Sequence, residues 1–200
     1  MNPMMNAFGK VCRRSFIPGL TCLCVGLLGS CNYVAQSYTA FDSADTSGLW
    51  GLSAPVSTFA DGAVIPEKYA APSNISPPLS WKTFVSPVME YVVIVQDIDA
   101  EGGPAANWIV YNLAADSPKL DENAAASGKL TQGKNSKGVV GYSGPDAGDA
   151  KPHHYTFQVF ALFKPLGLEP GADAEAVVTA MKGKVAAKSR LFGYYPKVPK

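Results

Sequence analysis

The chain has 200 residues, 17 basic and 16 acidic side chains, a net charge of +1 and 47% hydrophobic residues. Its four cysteines, Cys12, Cys22, Cys24 and Cys31, all lie in the first 31 residues, so the remainder has none for a disulfide, a thiol nucleophile or a cysteine metal site. Residues 1–30 hold three of the basic side chains and no acid; residues 31–200 carry a net charge near −2 with Arg190 as their one arginine, which argues against nucleic-acid binding through clustered cations.

Lys10, Arg13 and Arg14 precede an apolar run from Ile17 to Leu28 that closes on Leu28-Gly-Ser-Cys31. This order reads as an export signal over residues 1–30. The run falls short of the roughly 20 apolar residues of a membrane-spanning helix and contains Pro18 and Gly19. Leu-Gly-Ser-Cys resembles the lipobox of bacterial lipoproteins, which implies acylation at Cys31 and residence in the cell envelope, on the periplasmic side or in the outer membrane. Arg13-Arg14 also fits a twin-arginine export signal. Residues 31–50 are small and polar with scattered aromatics and read as a tether; residues 51–200 form one domain long enough for a single core.

Within that domain, Tyr91–Gln96, Trp108–Leu113, Val139–Tyr142 and Tyr155–Phe163 are short runs rich in Val, Ile, Tyr and Phe, bounded by turn residues, and predict strands. Prolines recur through the chain and exclude long helices where they stand. The Ser/Gly/Lys/Asn-rich stretch between Ala114 and Gly138 lacks periodicity and reads as a mobile surface loop. A helix is expected from Asp173, its cap, with Val178, Met181 and Val185 on one face, through about Leu191 to a stop at Gly193. The fold class is mainly β: two packed sheets with short peripheral helices and a C-terminal helix.

Strand alternation sorts the polar residues. His153 shares a face with Tyr155, Phe157 and Val159, whereas His154 shares the other with Thr156 and Gln158. By the same count Asp97 goes with Tyr91, Val93 and Val95, and Asn107 with Ile109 and Tyr111. His153 is then either a hydrogen-bonded core histidine or a pocket residue, and Asp97 either a turn acid or a pocket acid. Three other chemistries are weaker. Asp97-Ile-Asp99-Ala-Glu101 imitates a calcium loop, but Trp108 occupies the twelfth position where glutamate is required. Gly141-Tyr-Ser143-Gly-Pro145 approaches a nucleophile elbow and permits a Ser143–His153–Asp97 hydrolase. Adjacent histidines on opposite faces do not make a zinc site.

Asn74-Ile-Ser-Pro-Pro-Leu-Ser-Trp81, Gln96-Asp-Ile-Asp-Ala100, Trp108-Ile-Val-Tyr-Asn112, Gly141-Tyr-Ser-Gly-Pro145 and His153-His-Tyr155 together resemble the bacterial branch of the phosphatidylethanolamine-binding protein family, also called Raf kinase inhibitor-like proteins. The resemblance runs from about Leu52 to Tyr195 and implies a β-sandwich with a small pocket for phosphate or phospholipid head groups. Carried over, the pocket consists of Asp97 and Asp99, the turn Tyr142, Ser143, Gly144 and Pro145, and His153 with Tyr155. In this reading the turn's backbone N–H groups cradle the anion, while imidazole and phenol donate to it. The chain departs from the family pattern at Ile98 and Glu101, where prolines are usual, at Asn107, where histidine is usual, and at Asp146-Ala-Gly148, where Cys-Pro-Pro is usual. Asn107 replaces a protonatable pocket donor with a neutral amide.

The sequence thus points to an exported, lipid-anchored, non-enzymatic protein that binds a small anionic or phospholipid head-group ligand and needs no metal or cofactor. The alternatives are a protein-interaction or inhibitor module, using the pocket and the 114–138 loop, and a weak Ser-His-Asp hydrolase.

Overall fold

The computed structural model describes Ala40, residues 51–146, Gly148 and residues 151–196. The export signal, Cys31 and the tether apart from Ala40 lie outside the described residues. Four long antiparallel strands dominate: β3 (Glu90–Asp97), β4 (Ala105–Ala114), β7 (His153–Leu162) and β8 (Val185–Tyr195). The edge strands β1 (Ala63–Val64) and β6 (Thr131–Gln132) complete a six-stranded sheet in the order β1-β8-β7-β3-β4-β6. A second, two-stranded sheet pairs β2 (Leu79–Ser80) with β5 (Lys119–Leu120). One α-helix, α1 (Ala174–Met181), stands among the described residues. The fold is mainly β, with two sheets, as the sequence implies.

Both faces of the large sheet are covered, which explains why all eight residues of β3 are buried. Val93, Val95, Phe157 and Val159 pack beneath Phe59, Leu79, Trp81 and Leu120 on the side of the small sheet. Val92, Ile94, Ile109 and Phe160 pack against Leu166, Val177 and Met181 on the side of α1. Burial of apolar surface on two faces at about 25 cal/mol per Å² is the main stabilising term.

Three expectations change. The helix begins as expected, with the Asp173 side chain accepting the Ala176 N–H (2.9 Å), but it ends at Met181, where Gly183 adopts φ +68°. Val185–Tyr195 is a strand: Ala187 and Leu191, four residues apart, share a face in a strand as they would in a helix. Gly193 sits inside that strand, where a methyl group would lie 2.6 Å from Ile65 Cγ1 and 2.9 Å from Phe59 Cε2. The stretch from 114 to 138 is ordered into β5, a 3-10 turn at Ala124–Ala126 and β6, because its short segments pair with β2 and β4. Val139–Tyr142 is not a strand: Val140 makes a single bridge to Lys134, and Val139 and Val140 are exposed.

Candidate functional site

β3 ends, and β4 and β7 begin, at the same edge of the sheet, where Asp97 pairs with both Ala105 and Tyr155. A cleft of about 820 Å³ opens there. Of the nine residues expected at the pocket, Asp97, Asp99, Asn107, Ser143, Gly144, His153 and Tyr155 line it. Tyr142 and Pro145 stand behind it. The Tyr142 ring packs edge-on against Trp108 at 5.5 Å and its hydroxyl donates to Tyr69 O (2.8 Å), while Pro145 O accepts the Ala71 N–H (2.8 Å). Burial pushes the Tyr142 phenol well above its ordinary value.

Asp97 is the hub. His153 Nδ1 lies 2.7 Å from Asp97 Oδ2, with side chains only 19% and 12% exposed. A carboxylate at that distance orients the ring with Nδ1 toward Asp97. Asp97 Oδ1 accepts the Asp99 N–H (3.0 Å). Burial first, and then the neighbouring Asp97 charge, raises the Tyr155 phenol far above the ordinary range. Tyr155 pairs with Asp97 across β3 and β7 and sets its phenol near that carboxylate.

The turn at 141–145 serves differently from the sequence expectation. Ser143 N–H donates to Asn107 O (2.9 Å) and Gly144 N–H to Asn74 Oδ1 (2.7 Å), so those two amides hold the turn in place. Gly144 is obligatory there, because a β-carbon would collide with the backbone of Tyr69 and Ala70. Lys137 and Lys151 line the cleft together with Glu101 and Asp146, the Lys137 ammonium lying 3.6 Å from Asp146 Oδ2. No motif of the sequence marks these lysines; the loops that carry them fold back over the strand ends.

Asn107 reaches the cleft because β4 slips register by one residue between Trp108 and Ala106, opposite Val95 and Gln96. A count by twos puts Asn107 with Ile109; the irregularity turns its side chain to the Asp97 side instead. Its Oδ1 accepts the Asp97 N–H (3.1 Å) and its Nδ2 donates to Ser143 O (2.9 Å), tying β3, β4 and the turn together.

Beside this buried pair lies an exposed one. Asp99 Oδ2 accepts the His154 N–H (2.8 Å) and faces its Nδ1 at 2.6 Å, with side chains 60% exposed for His154 and 42% for Asp99. Burial alone would raise the Asp99 carboxyl, but the bonds from His154 outweigh it and hold the group below its ordinary value. His154 does point outward, as alternation requires, yet no pattern along the strand signals its partner. Two of the three carboxylates of the calcium-like stretch, Asp97 and Asp99, are thus occupied by histidines, and among the described residues no cluster of three His, Cys, Asp or Glu side chains could hold a metal. No helix of the described residues is long and apolar enough to cross a membrane.

A sequence model described as phosphatidylethanolamine-binding protein matches residues 55–196. The UPF0098 protein of Methanothermobacter thermautotrophicus is 38% identical over 142 residues, covering 68% of this chain and 93% of its own length. LppC of Mycobacterium tuberculosis, provisionally named a lipoprotein, is 31% identical over 166 residues, 82% of this chain and 81% of its own. A crystal structure from Chlamydia trachomatis, provisionally titled a homologue of the phosphatidylethanolamine-binding protein, superposes with a TM-score of 0.68 at 35% identity, covering 74% of this chain and 99% of the other. Escherichia coli YbcL shares the fold at a TM-score of 0.65 and 24% identity, over 72% and 98% of the two chains.

Proposed function

This chain belongs to the phosphatidylethanolamine-binding protein family, and on that premise we propose that it is an exported, lipid-anchored binding protein whose cleft holds a phosphate or a phospholipid head group. The observation that carries the reading is the Asp97–His153 pair at the cleft. The carboxylate on Nδ1 fixes the ring at the cleft wall, where a protonated imidazole is a charge-assisted donor suited to an anion. Lys137 and Lys151 add positive charge on the anion's side, while Asp99 and Glu101 at the mouth suit an ammonium group. Asn107 and Tyr155 flank Asp97 at the same cleft wall. Anchoring is supported by Leu28-Gly-Ser-Cys31 and by the provisional naming of the mycobacterial relative as a lipoprotein.

Calorimetric titration with inorganic phosphate and with phosphoethanolamine tests the binding reading. Saturable binding that weakens roughly tenfold in His153→Ala is the expected result; binding indifferent to His153 would refute it. Failure of labelled fatty acid to enter the wild-type chain, or equal labelling of Cys31→Ser, would remove the anchor.

A second reading has one observation in its favour. Asp97 on His153 Nδ1, with Ser143 lining the same cleft, is two-thirds of a hydrolytic triad. Ester turnover abolished in Ser143→Ala would establish it in place of a pure binder.

A further inference from the structure

The turn over residues 135–140 holds two valines out in water at the edge of the cleft. Val139 and Val140 are 59% and 53% exposed, whereas Asn135 at the base of the turn is only 4% exposed. The Asn135 amide is spent entirely on keeping the turn in shape. Its Oδ1 accepts the N–H groups of Lys137 (3.0 Å) and Val139 (3.1 Å), and its Nδ2 donates to Gly141 O (3.2 Å). The backbone closes the same loop, Asn135 N–H donating to Val139 O (2.8 Å) and Gly138 N–H to Asn135 O (2.9 Å), with Gly138 at φ +78°. Ser136 then clamps the turn to β4, exchanging bonds with Ala106 through its N–H (2.8 Å) and its Oγ (2.7 Å), one residue from Asn107. The valines are therefore displayed on a stiff support, and Ser136 and Lys137 of the same turn line the cleft.

The surrounding charge indicates what the display is for. Residues 123–145 contain Lys129, Lys134 and Lys137 and no carboxylate, in a domain whose net charge is otherwise negative; Asp146, the next residue, pairs with Lys137 at 3.6 Å, which leaves Lys129 and Lys134 as the excess charge. All three lysines are exposed. Apolar tips among lysines suit a bilayer, where aliphatic groups enter the head-group boundary and ammonium groups meet phosphates. The geometry of the chain's other connection agrees: buried Ala40 donates its N–H to Gln96 Oε1 (2.8 Å), next to Asp97. Eight residues lie between it and Cys31, a reach of at most about 30 Å, so acylation there would keep the cleft end of the sheet near the membrane.

We propose that the 135–140 turn is a membrane-docking element that seats the mouth of the cleft on a lipid bilayer, so that the head group reaches the cleft from the membrane and not from free solution. This deepens the binding reading and rests on it for the identity of the ligand, but the docking can be tested separately. The full chain, reconstituted into vesicles of phosphatidylethanolamine and phosphatidylglycerol containing brominated lipid, carries a reporter tryptophan as Val140→Trp or, as the control, Phe84→Trp. Phe84 is 72% exposed in the segment leading into β3, at the other end of the sheet. Emission contributed by residue 140 should fall by roughly half on contact with brominated chains, and that of residue 84 should not change. An unquenched residue 140, or quenching at residue 84 instead, overturns the proposal, as does protection of the turn by a protein in the absence of quenching. Phosphate titration of the double variant Val139→Ser, Val140→Ser separates the two claims. Lys134 bridges to Val140 across the base of the turn, so Lys134→Trp reports on the turn with the valines present or absent. Binding within about twofold of wild type, with the quenching of Lys134→Trp lost in the double-serine background, supports docking as a property of the valines. Phosphate binding without quenching at residue 140 leaves the cleft reading standing and removes docking; quenching without phosphate binding does the reverse.

Discussion

Glu90 and Asp97, the first and last residues of β3, are both buried acids, 7% and 8% exposed, yet they are held in different ways. Glu90 Oε1 accepts the backbone N–H of Leu166 (3.0 Å). The Lys184 ammonium, bonded to the carbonyls of Pro165 (2.9 Å) and Leu166 (3.2 Å), secures the same segment. Burial raises the Glu90 carboxyl, only partly offset by the Leu166 bond and the Lys184 charge. Asp97 instead faces an imidazole and a phenol at the wall of a cleft. Burial of a carboxylate does not by itself mark a site. A backbone amide is a fixed partner that latches a loop, whereas an imidazole can change its charge and pass a hydrogen bond on to a ligand.

The largest expected effect tests that contrast directly. Asp97→Ala strips an acceptor from His153 Nδ1 and the Asp99 N–H together, and should cost about 3–5 kcal/mol in denaturant unfolding with phosphate affinity down at least tenfold. Glu90→Ala orphans one buried amide and should cost about 1–3 kcal/mol, leaving phosphate affinity within about twofold of wild type. Equal costs, or a loss of affinity in Glu90→Ala, would erase the distinction between the two ends. Next in size is Asn107→Ala, which removes the bonds to the Asp97 N–H and Ser143 O. A loss of about 1–2 kcal/mol is expected, with amide NMR shifts concentrated at 141–145; shifts confined to residue 107 would show that the side chain is not the strut between strand and turn.

How much of this is legible in the sequence depends on how local the signal is. The cores of β3, β4 and β7 declare themselves because Val, Ile, Tyr and Phe cluster in runs of strand length. β8 reads as helix because Val185 continues the spacing of Val178 and Met181 toward Leu191, and nothing near Gly183 alone decides against it. β5 and β6 are two residues each and exist only through pairing with distant strands, so a polar, aperiodic stretch conceals them. At the site, the face of His153 follows from alternation, which holds along β7. The orientation of Asn107 does not, since a register shift cannot be seen in one strand alone. The bond from His154 to Asp99 depends on the turn after β3, where Asp99 N–H folds back on Asp97, and that geometry is set by neither strand's pattern.

The smallest effects carry opposite signs. The Glu90 carboxyl is raised in the folded protein, so its contribution to stability is fully present below the ordinary carboxylate value of about 4.5 and is lost as pH rises through the raised value. Glu90→Gln keeps an acceptor for the Leu166 N–H and cannot ionise; it should match the wild type in acid and gain up to about 1 kcal/mol toward neutral pH. The Asp99 carboxyl is lowered, so its stabilisation is present above about 3.8 and disappears as pH falls through the lowered value. His154→Ala should therefore lose stability at neutral pH and converge on the wild type in acid, and solvent screening of so exposed a pair keeps the loss to a few tenths of a kcal/mol. Thermal unfolding tracked from pH 3 to 7 should give two difference curves that start together at zero and open in opposite directions. Curves that open the same way would mean that one of the two acids is not held as its neighbours imply: either the Leu166 segment does not keep water from Glu90, or the imidazole of His154 does not hold the charge on Asp99.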